Sequence, residues 1–200
     1  MRCRMKGLVL TGLLWCGAPL CWATNYTIDP DHSTVSFKIR HLFSNVTGTF
    51  NTFEGAFDYV PGEPDQWKAN AVIQTSSIDT AVEKRDTHLR SADFFEVTAY
   101  PTMTFTSTEV AEATATSAKL HGLLMLHGVE RPVALDLAIH GEGKDPWGNV
   151  RSGFTATTRI NRKDFGLSWN QVLETGQLLV GEDVEITIEV EGVATPEPVS

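Results

Sequence analysis

The amino-acid sequence predicts an all-β domain of about eight antiparallel strands with one or two short helices. Three observations favour this class. Apolar and polar residues alternate with a period of two over most of the chain, which is typical of strands with one buried face. Short connections rich in turn-forming residues join the alternating segments. Only one segment combines a capping motif with a run of good helix formers.

Composition indicates one globular domain. The chain has 200 residues, of which 42% are apolar and 20% are charged. The predicted domain covers residues 24–193, and a polar tail follows at residues 194–200. The formal net charge of −9 argues against a nucleic-acid partner, because phosphate binding requires a basic surface.

Residues 1–23 have the pattern of a secretory signal peptide. Arg2, Arg4 and Lys6 precede an uncharged apolar run, and Ala23 ends a candidate cleavage site. A membrane anchor is disfavoured, because the run between its flanks is too short to span a bilayer. Cleavage near Ala23 removes three positive charges and all three cysteines, which lowers the net charge from −9 to −12. We therefore expect an exported protein without disulfide or thiol chemistry.

Three alternating segments lie in the first half of the chain. The first covers residues 34–41. The second, residues 46–59, contains Gly48 and Gly55, which predict a bend or a bulge in a long strand. A weaker strand covers residues 69–73.

The alternation is clearer in the second half. Residues 103–105 follow a proline, which can open a strand but not lie inside one. Four further segments then alternate, at residues 119–127, 133–140, 154–160 and 184–190. Together with the first half, they make about eight strands.

The predicted α-helix begins near Thr80. Thr80 and Glu83 have the spacing of a capping box, and good helix formers continue to about Arg90. Asp86 and Arg90 lie four residues apart and are expected to pair on this helix. A second short helix over residues 164–173 is a weaker prediction.

Eight antiparallel strands with one apolar face each can form two stacked sheets or a closed barrel, and composition does not decide between them. The apolar faces either fill a closed core or line a channel for a slender ligand, and the pattern alone favours the core. The residues concerned are Val35, Phe37, Ile39, Phe50, Phe53, Phe57, Met103, Phe105, Leu124, Leu126, Leu135, Leu137, Phe154 and Ile160.

Specific motifs add to this pattern. The most distinctive is Arg85-Asp86-Thr87-His88-Leu89-Arg90-Ser91-Ala92-Asp93-Phe94-Phe95, and Asn161-Arg162-Lys163-Asp164-Phe165-Gly166 is another. Further matches lie at residues 26–29, 32–33, 37–41, 48–50, 77–80, 100–101, 105, 107, 126–129 and 132. On these residues the chain resembles the YceI family of exported, lipocalin-like proteins associated with polyisoprenoid binding, over nearly the whole region from Tyr26 to Val193.

The resemblance implies an extended eight-stranded antiparallel barrel with a helix beside it. It also implies that the fourteen apolar residues line a channel for a prenyl chain, such as that of a prenyl pyrophosphate or ubiquinone. The expected function is that of a periplasmic carrier without catalytic activity. No cofactor is expected, and a bound polyisoprenoid lipid is. Stable membrane insertion is not expected. A homodimer is compatible with the resemblance.

Four polar residues are candidates for the lipid head group: His41, Arg85, Arg90 and Arg162. Arginine offers planar, bidentate donors to phosphate oxygens. The alternative is that these residues form solvated ion pairs and strand-end contacts, as charged pairs on helices usually do.

Metal-binding and catalytic motifs are not found in the sequence. His121 and His127 are about 20 Å apart on an extended strand, too far to share one ion. The sequence contains no nucleophile elbow, phosphate-cradling glycine loop or zinc-protease motif. Two alternatives to the carrier stay open: an exported enzyme or stress-response factor acting on a quinone or prenyl phosphate, and a structural protein whose barrel is filled by its own side chains.

Overall fold

The computed structural model describes residues 23–174 and 176–195. The predicted signal peptide, except Ala23, lies outside the described residues, as does the predicted polar tail beyond Thr195. The described part of the chain contains no helix long and apolar enough to cross a membrane.

The described part of the chain contains eleven strands, one α-helix and three short 3₁₀ turns, at Pro64–Gln66, Thr75–Ser77 and Arg162–Phe165. The strands are Thr24–Ile28 (β1), Thr34–His41 (β2), Ser44–Phe50 (β3), Phe53–Tyr59 (β4), Lys68–Gln74 (β5), Ile78–Asp79 (β6), Thr102–Ala111 (β7), Ser117–Leu126 (β8), Val129–Lys144 (β9), Val150–Asn161 (β10) and Val180–Ala194 (β11). The helix, α1, covers Glu83–Arg90.

The first four strands form one long hairpin. β2 pairs with β3 from His41–Ser44 at the tip to Val35–Phe50, and β1 then pairs with β4 in a nearly continuous register. β1 with β2, and β3 with β4, are therefore successive halves of two long strands. Counted this way, the barrel has eight strands plus the two-residue β6.

The sheet closes on itself through β11. The strand order runs β1, β4, β5, β7, β8, β9, β10, β11, and all pairings are antiparallel. β11 is 15 residues long, pairing with β2 over its first part and with β1 near its end. The predicted all-β class and the closed eight-stranded barrel are confirmed, which decides against two stacked sheets.

The break in the second long strand lies at residues 51–52, not at the glycines as the sequence suggested. The strand changes neighbours there, because β3 pairs with β6 whereas β4 pairs with β5. The backbone N–H of Asn51 donates to the Ser77 carbonyl at 3.2 Å, and that of Thr52 donates to Ser77 Oγ at 3.1 Å. These bonds satisfy the backbone at the break.

The start of α1 also differs from the prediction. Its N-cap is Val82, without a side-chain capping bond, so the capping box at Thr80 and Glu83 is wrong. The Asp86 carboxylate instead accepts hydrogen bonds from the backbone N–H (3.0 Å) and the hydroxyl of Thr80. The Asp86 carboxylate is thus hydrogen-bonded to Thr80 and does not form the predicted pair with Arg90.

The predicted second helix reduces to a single 3₁₀ turn. This turn covers Arg162–Phe165 and ends at Gly166, whose φ of 79° places it in the left-handed region. The Asn161 side chain accepts a hydrogen bond from the Lys163 N–H and begins the turn. Of the residues that follow, 167–174 and 176–179 are irregular and lie over one end of the barrel.

Candidate ligand channel

The barrel encloses an apolar cavity of about 660 Å³. This volume lies within the usual range for small-molecule sites. All fourteen apolar residues named from the strand pattern line it: Val35, Phe37, Ile39, Phe50, Phe53, Phe57, Met103, Phe105, Leu124, Leu126, Leu135, Leu137, Phe154 and Ile160.

Three glycines are covered by aromatic rings inside the barrel. A Cβ on Gly48 would lie 2.5 Å from the Phe37 ring, and one on Gly122 would lie 2.4 Å from the Phe105 ring. In both pairs the ring covers a glycine on the neighbouring strand, which allows the ring to lie against the sheet. A Cβ on Gly192 would lie 2.5 Å from the Phe57 ring, which reaches it across β1.

Five aromatic residues pack across one end of the barrel, and we call them the floor cluster: Tyr26, Phe57, Tyr59, Trp67 and Phe154. Tyr26 stacks on Phe57 with ring centroids 5.0 Å apart, and Phe154 contacts Tyr59 edge-on at 5.0 Å. The Trp67 indole N–H donates to the Val60 carbonyl at 2.6 Å. Burial raises the pKa of both tyrosine hydroxyls, so that they stay neutral.

The other end of the cavity reaches the surface, and we call it the mouth. Three segments surround it: the β2–β3 loop, the start of α1, and residues 166–174 with 176–179. Val82 and Lys84 line the cavity there and are both exposed.

Three of the four head-group candidates line the cavity near the mouth: His41, Arg85 and Arg162. The Arg85 guanidinium donates from Nε to Thr80 Oγ1 and from Nη2 to the Thr80 carbonyl, both at 2.7 Å. These two bonds fix the guanidinium beside the cavity.

Arg162 is buried, with 3% of its surface exposed. Its Nε donates to the Gly181 carbonyl at 2.8 Å and its Nη1 to the Leu167 carbonyl at 2.5 Å. Within the described residues, Nη2 has no hydrogen-bond partner although it is buried. Burial lowers the pKa of this guanidinium, which reflects a positive charge held in an apolar place. Such a group is costly to leave unpaired.

Arg90 does not join this set. Its guanidinium donates to the carbonyls of Ser76 and Ile78 at 2.9 and 2.7 Å, and it lies 3.6 Å from the Glu83 carboxylate. It is not among the described residues that line the cavity. In the structure Arg90 therefore ties α1 to the segment before it.

Several lining residues were not identified from the sequence. Val184, Ile186, Ile188 and Val190 of β11 belong to a predicted apolar face and line the cavity, so the alternation could have identified them. Another group comes from segments without strand periodicity and left no such signal: Trp67, His88, Phe94 and Trp169.

A cluster of potential metal ligands lies near the start of β2 but is already occupied by an arginine. Asp29, His32 and Glu191 have ligand atoms within 4.8 Å of one another. The Arg151 guanidinium lies among them, with Nη1 at 2.8 Å from Asp29 and 2.5 Å from Glu191. This is an ion-pair network, and its positive centre disfavours a cation.

Fold and cavity together define the class of the molecule: a closed eight-stranded antiparallel barrel with an internal apolar channel. Residues 26–192 match the model of the YceI-like domain, so the chain belongs to the YceI family. The chain is similar to a UPF0312 protein of Pectobacterium carotovorum, with 42% identity over 174 residues that cover 86% of this chain and 87% of that protein.

Two solved structures have the same fold. A crystal structure of a Campylobacter jejuni YceI protein is 30% identical, with a TM-score of 0.68 and coverage of 78% of this chain and 90% of that one. A polyisoprenoid binding domain from Saccharophagus degradans, described as implicated in plant cell wall breakdown, is 18% identical, with a TM-score of 0.63 and coverage of 85% and 98%. At that identity the likeness is one of fold alone.

Proposed function

We propose that this protein binds a polyisoprenoid lipid, a prenyl pyrophosphate or a ubiquinone-like molecule, in its channel and carries it through the periplasm. The observation that carries the proposal is the apolar cavity between the floor cluster and the mouth. The family assignment and the Saccharophagus polyisoprenoid binding domain support it. The amino-terminal signal pattern supports the location.

The shape of the cavity suits a long, thin chain. Val180 and Val190 of β11 both line it, and ten residues of strand cover about 34 Å. At a barrel tilt of about 40°, this corresponds to roughly 26 Å along the axis. Burial of a prenyl tail stabilises the complex by about 0.8 kcal/mol per methylene group, so several isoprene units bind tightly without a hydrogen bond.

We place the head group at the mouth, beside Arg85, His41 and Arg162. Arg162 supports this choice, because its Nη2 is a buried donor without a partner in the described residues. A phosphate or quinone oxygen would satisfy that donor. Hydrogen bonds from a charged donor contribute about 1.5–3 kcal/mol, so this contact would also select oxygen-bearing heads over hydrocarbon ends.

Lipid extraction tests the proposal directly. The mature protein is purified from its native host, bound lipids are extracted, and the extract is analysed by mass spectrometry. We expect a molecule with a prenyl tail. Recovery of no apolar molecule, together with no binding of ubiquinone or prenyl phosphate on reconstitution, would contradict the proposal.

A second function, in which the protein acts chemically on a quinone or prenyl phosphate, is favoured by one observation. His88 lines the cavity, and its Nε2 lies 2.8 Å from the Asp93 carboxylate, the arrangement of an oriented general base. Incubation with either lipid distinguishes the two functions. A product that disappears in His88→Gln, while lipid binding persists, would favour the enzyme over the carrier.

A further inference from the structure

Four apolar side chains around the mouth are exposed to solvent, and we call them the apolar collar. Phe43 in the β2–β3 loop is 84% exposed and Val82 before α1 is 47% exposed. Val172 and Leu178, in the segment over the mouth, are 66% and 43% exposed. Exposed apolar groups that cluster at one place commonly mark an interaction surface.

Backbone contacts hold the segments of the collar together, and one of its loops has a strained backbone conformation. Val172 and Leu178 face each other across a β-bridge, and the Leu42 N–H donates to the Leu179 carbonyl at 3.0 Å. Leu42 has a φ of 48°, in the left-handed region, within a two-residue hairpin loop where Asn or Gly is usual. The bond to Leu179 ties this loop to the segment over the mouth, and backbone strain held in this way occurs at functional sites.

Charges differ between the two ends of the barrel. Arg40 and Lys84 are exposed at the mouth, where Arg85 also lies. Four carboxylates lie on or beside these segments: Glu83, which faces Arg90, the exposed Glu174, Glu182, which pairs with Lys163, and the exposed Asp183.

The opposite end is acidic. Four carboxylates lie near the β9–β10 turn, with Arg151 among them: Asp29, Glu142, Asp145 and Glu191. The exposed Trp147 belongs to this turn. On a chain of net charge −9, the mouth is therefore the end with the more favourable charge for an anionic surface.

A prenyl cargo is nearly insoluble in water, so it has to enter and leave the channel where lipid and mouth meet. We propose that the apolar collar docks on a bilayer that contains anionic lipids, and that cargo passes directly between the membrane and the mouth. This inference rests on the proposed function. The apolar side chains enter the interface, while Arg40 and Lys84 contact the head groups, as in other peripheral contacts. Docking is reversible, because only short loops enter the membrane.

The test uses the protein without cargo and vesicles of phosphatidylethanolamine with one quarter phosphatidylglycerol. The collar variant is Phe43→Asp combined with Val172→Asp, and neither residue lines the cavity. The matched control is Trp147→Asp, which removes an equally exposed aromatic side chain at the acidic end. We expect co-sedimentation with vesicles to fall by about tenfold in the collar variant, because bound apolar area sets the affinity, and to be unchanged in the control.

A second measurement follows ubiquinone transfer. Uptake from ubiquinone-loaded vesicles should slow by about tenfold in the collar variant, following the loss of vesicle binding. Uptake of ubiquinone added from ethanol should be unchanged, because that route bypasses the membrane. Equal co-sedimentation of the wild type and the collar variant, or no co-sedimentation of either, would overturn docking.

These measurements separate the inference from the proposed function. If the wild type takes up ubiquinone from ethanol but does not bind vesicles, membrane docking is contradicted and the proposed carrier function is not. A wild type that binds vesicles through the collar but takes up no prenyl lipid contradicts the carrier.

Discussion

The Phe37 ring covers Gly48 on the neighbouring strand, and the two residues are directly paired in the sheet. The ring occupies the space that a side chain on Gly48 would need, since a Cβ there would lie 2.5 Å from the ring and 2.7 Å from Thr80. A residue with no side chain thus provides the room that keeps an aromatic ring out of the lumen.

Gly48→Ala should therefore damage both stability and ligand binding. The new methyl group pushes the Phe37 ring towards the lumen, and overpacking of this kind costs about 1–3 kcal/mol. Urea unfolding measures the loss of stability, and titration with ubiquinone measures the loss of affinity. Gly143→Ala is the control, because a Cβ there would meet no other described residue within 4 Å. Equal stability and affinity of the two variants would contradict this role of Gly48.

A pair of alanines can distinguish a channel from a filled core. Ala156 lines the cavity, whereas Ala118 is packed into the floor cluster and is not among the described residues that line the cavity. Ala156→Phe should place its ring in the space of the lipid and abolish binding with little loss of stability. Ala118→Phe should cost about 1–3 kcal/mol, because it enlarges a side chain in a filled site. Urea unfolding of both variants and ubiquinone titration of Ala156→Phe are the measurements.

The alternation predicted which strand residues face the inside of the barrel, for a physical reason. In a closed barrel each strand alternates between lumen and solvent, so a residue such as Phe105 or Leu124 is placed by its neighbours in the sequence. The same alternation also fits two stacked sheets. The barrel closes because β11 pairs with β2 and also with β1. These are long-range contacts, which strand periodicity does not specify.

The mouth was harder to predict, because its geometry depends on side-chain choices between near neighbours. Thr80 has the sequence position of an N-cap, but its backbone N–H and hydroxyl donate to the Asp86 carboxylate and its side chain does not cap α1. Arg85 and Arg90 belong to the same motif, yet only Arg85 lines the cavity, because Arg90 donates to carbonyls of the preceding segment. Trp169 lines the cavity from an irregular segment that carries no periodic signal.

Arg162 should discriminate between lipid heads. Arg162→Met removes the buried Nη2 donor, which has no partner among the described residues. We expect affinity for a prenyl phosphate to fall by about tenfold to a hundredfold, the equivalent of one charge-assisted hydrogen bond. Affinity for a prenyl hydrocarbon of equal length should change little. Calorimetric titration with both ligands measures the difference. Arg159→Met is the control, because Arg159 is exposed and pairs with Glu185.

A parallel loss of affinity for the phosphate and the hydrocarbon would give Arg162 a structural role. It would show that the bonds to Gly181 and Leu167 maintain the shape of the mouth. Urea unfolding of Arg162→Met, measured beside the titrations, shows how much stability these two bonds contribute.

The Arg151 network should make stability depend on pH. The hydrogen bond from Arg151 lowers the pKa of Asp29 below its ordinary value of 3.8. A carboxylate with a lowered pKa stabilises the fold above its unfolded pKa, and this stabilisation is lost as pH falls through the folded pKa. Arg151→Met removes the positive partner of Asp29, so the variant should have a lower free energy of unfolding than the wild type at pH 6. This difference in the free energy of unfolding should be smaller at pH 3. Urea unfolding at both pH values measures it, and a gap that does not change with pH would contradict the ion-pair explanation.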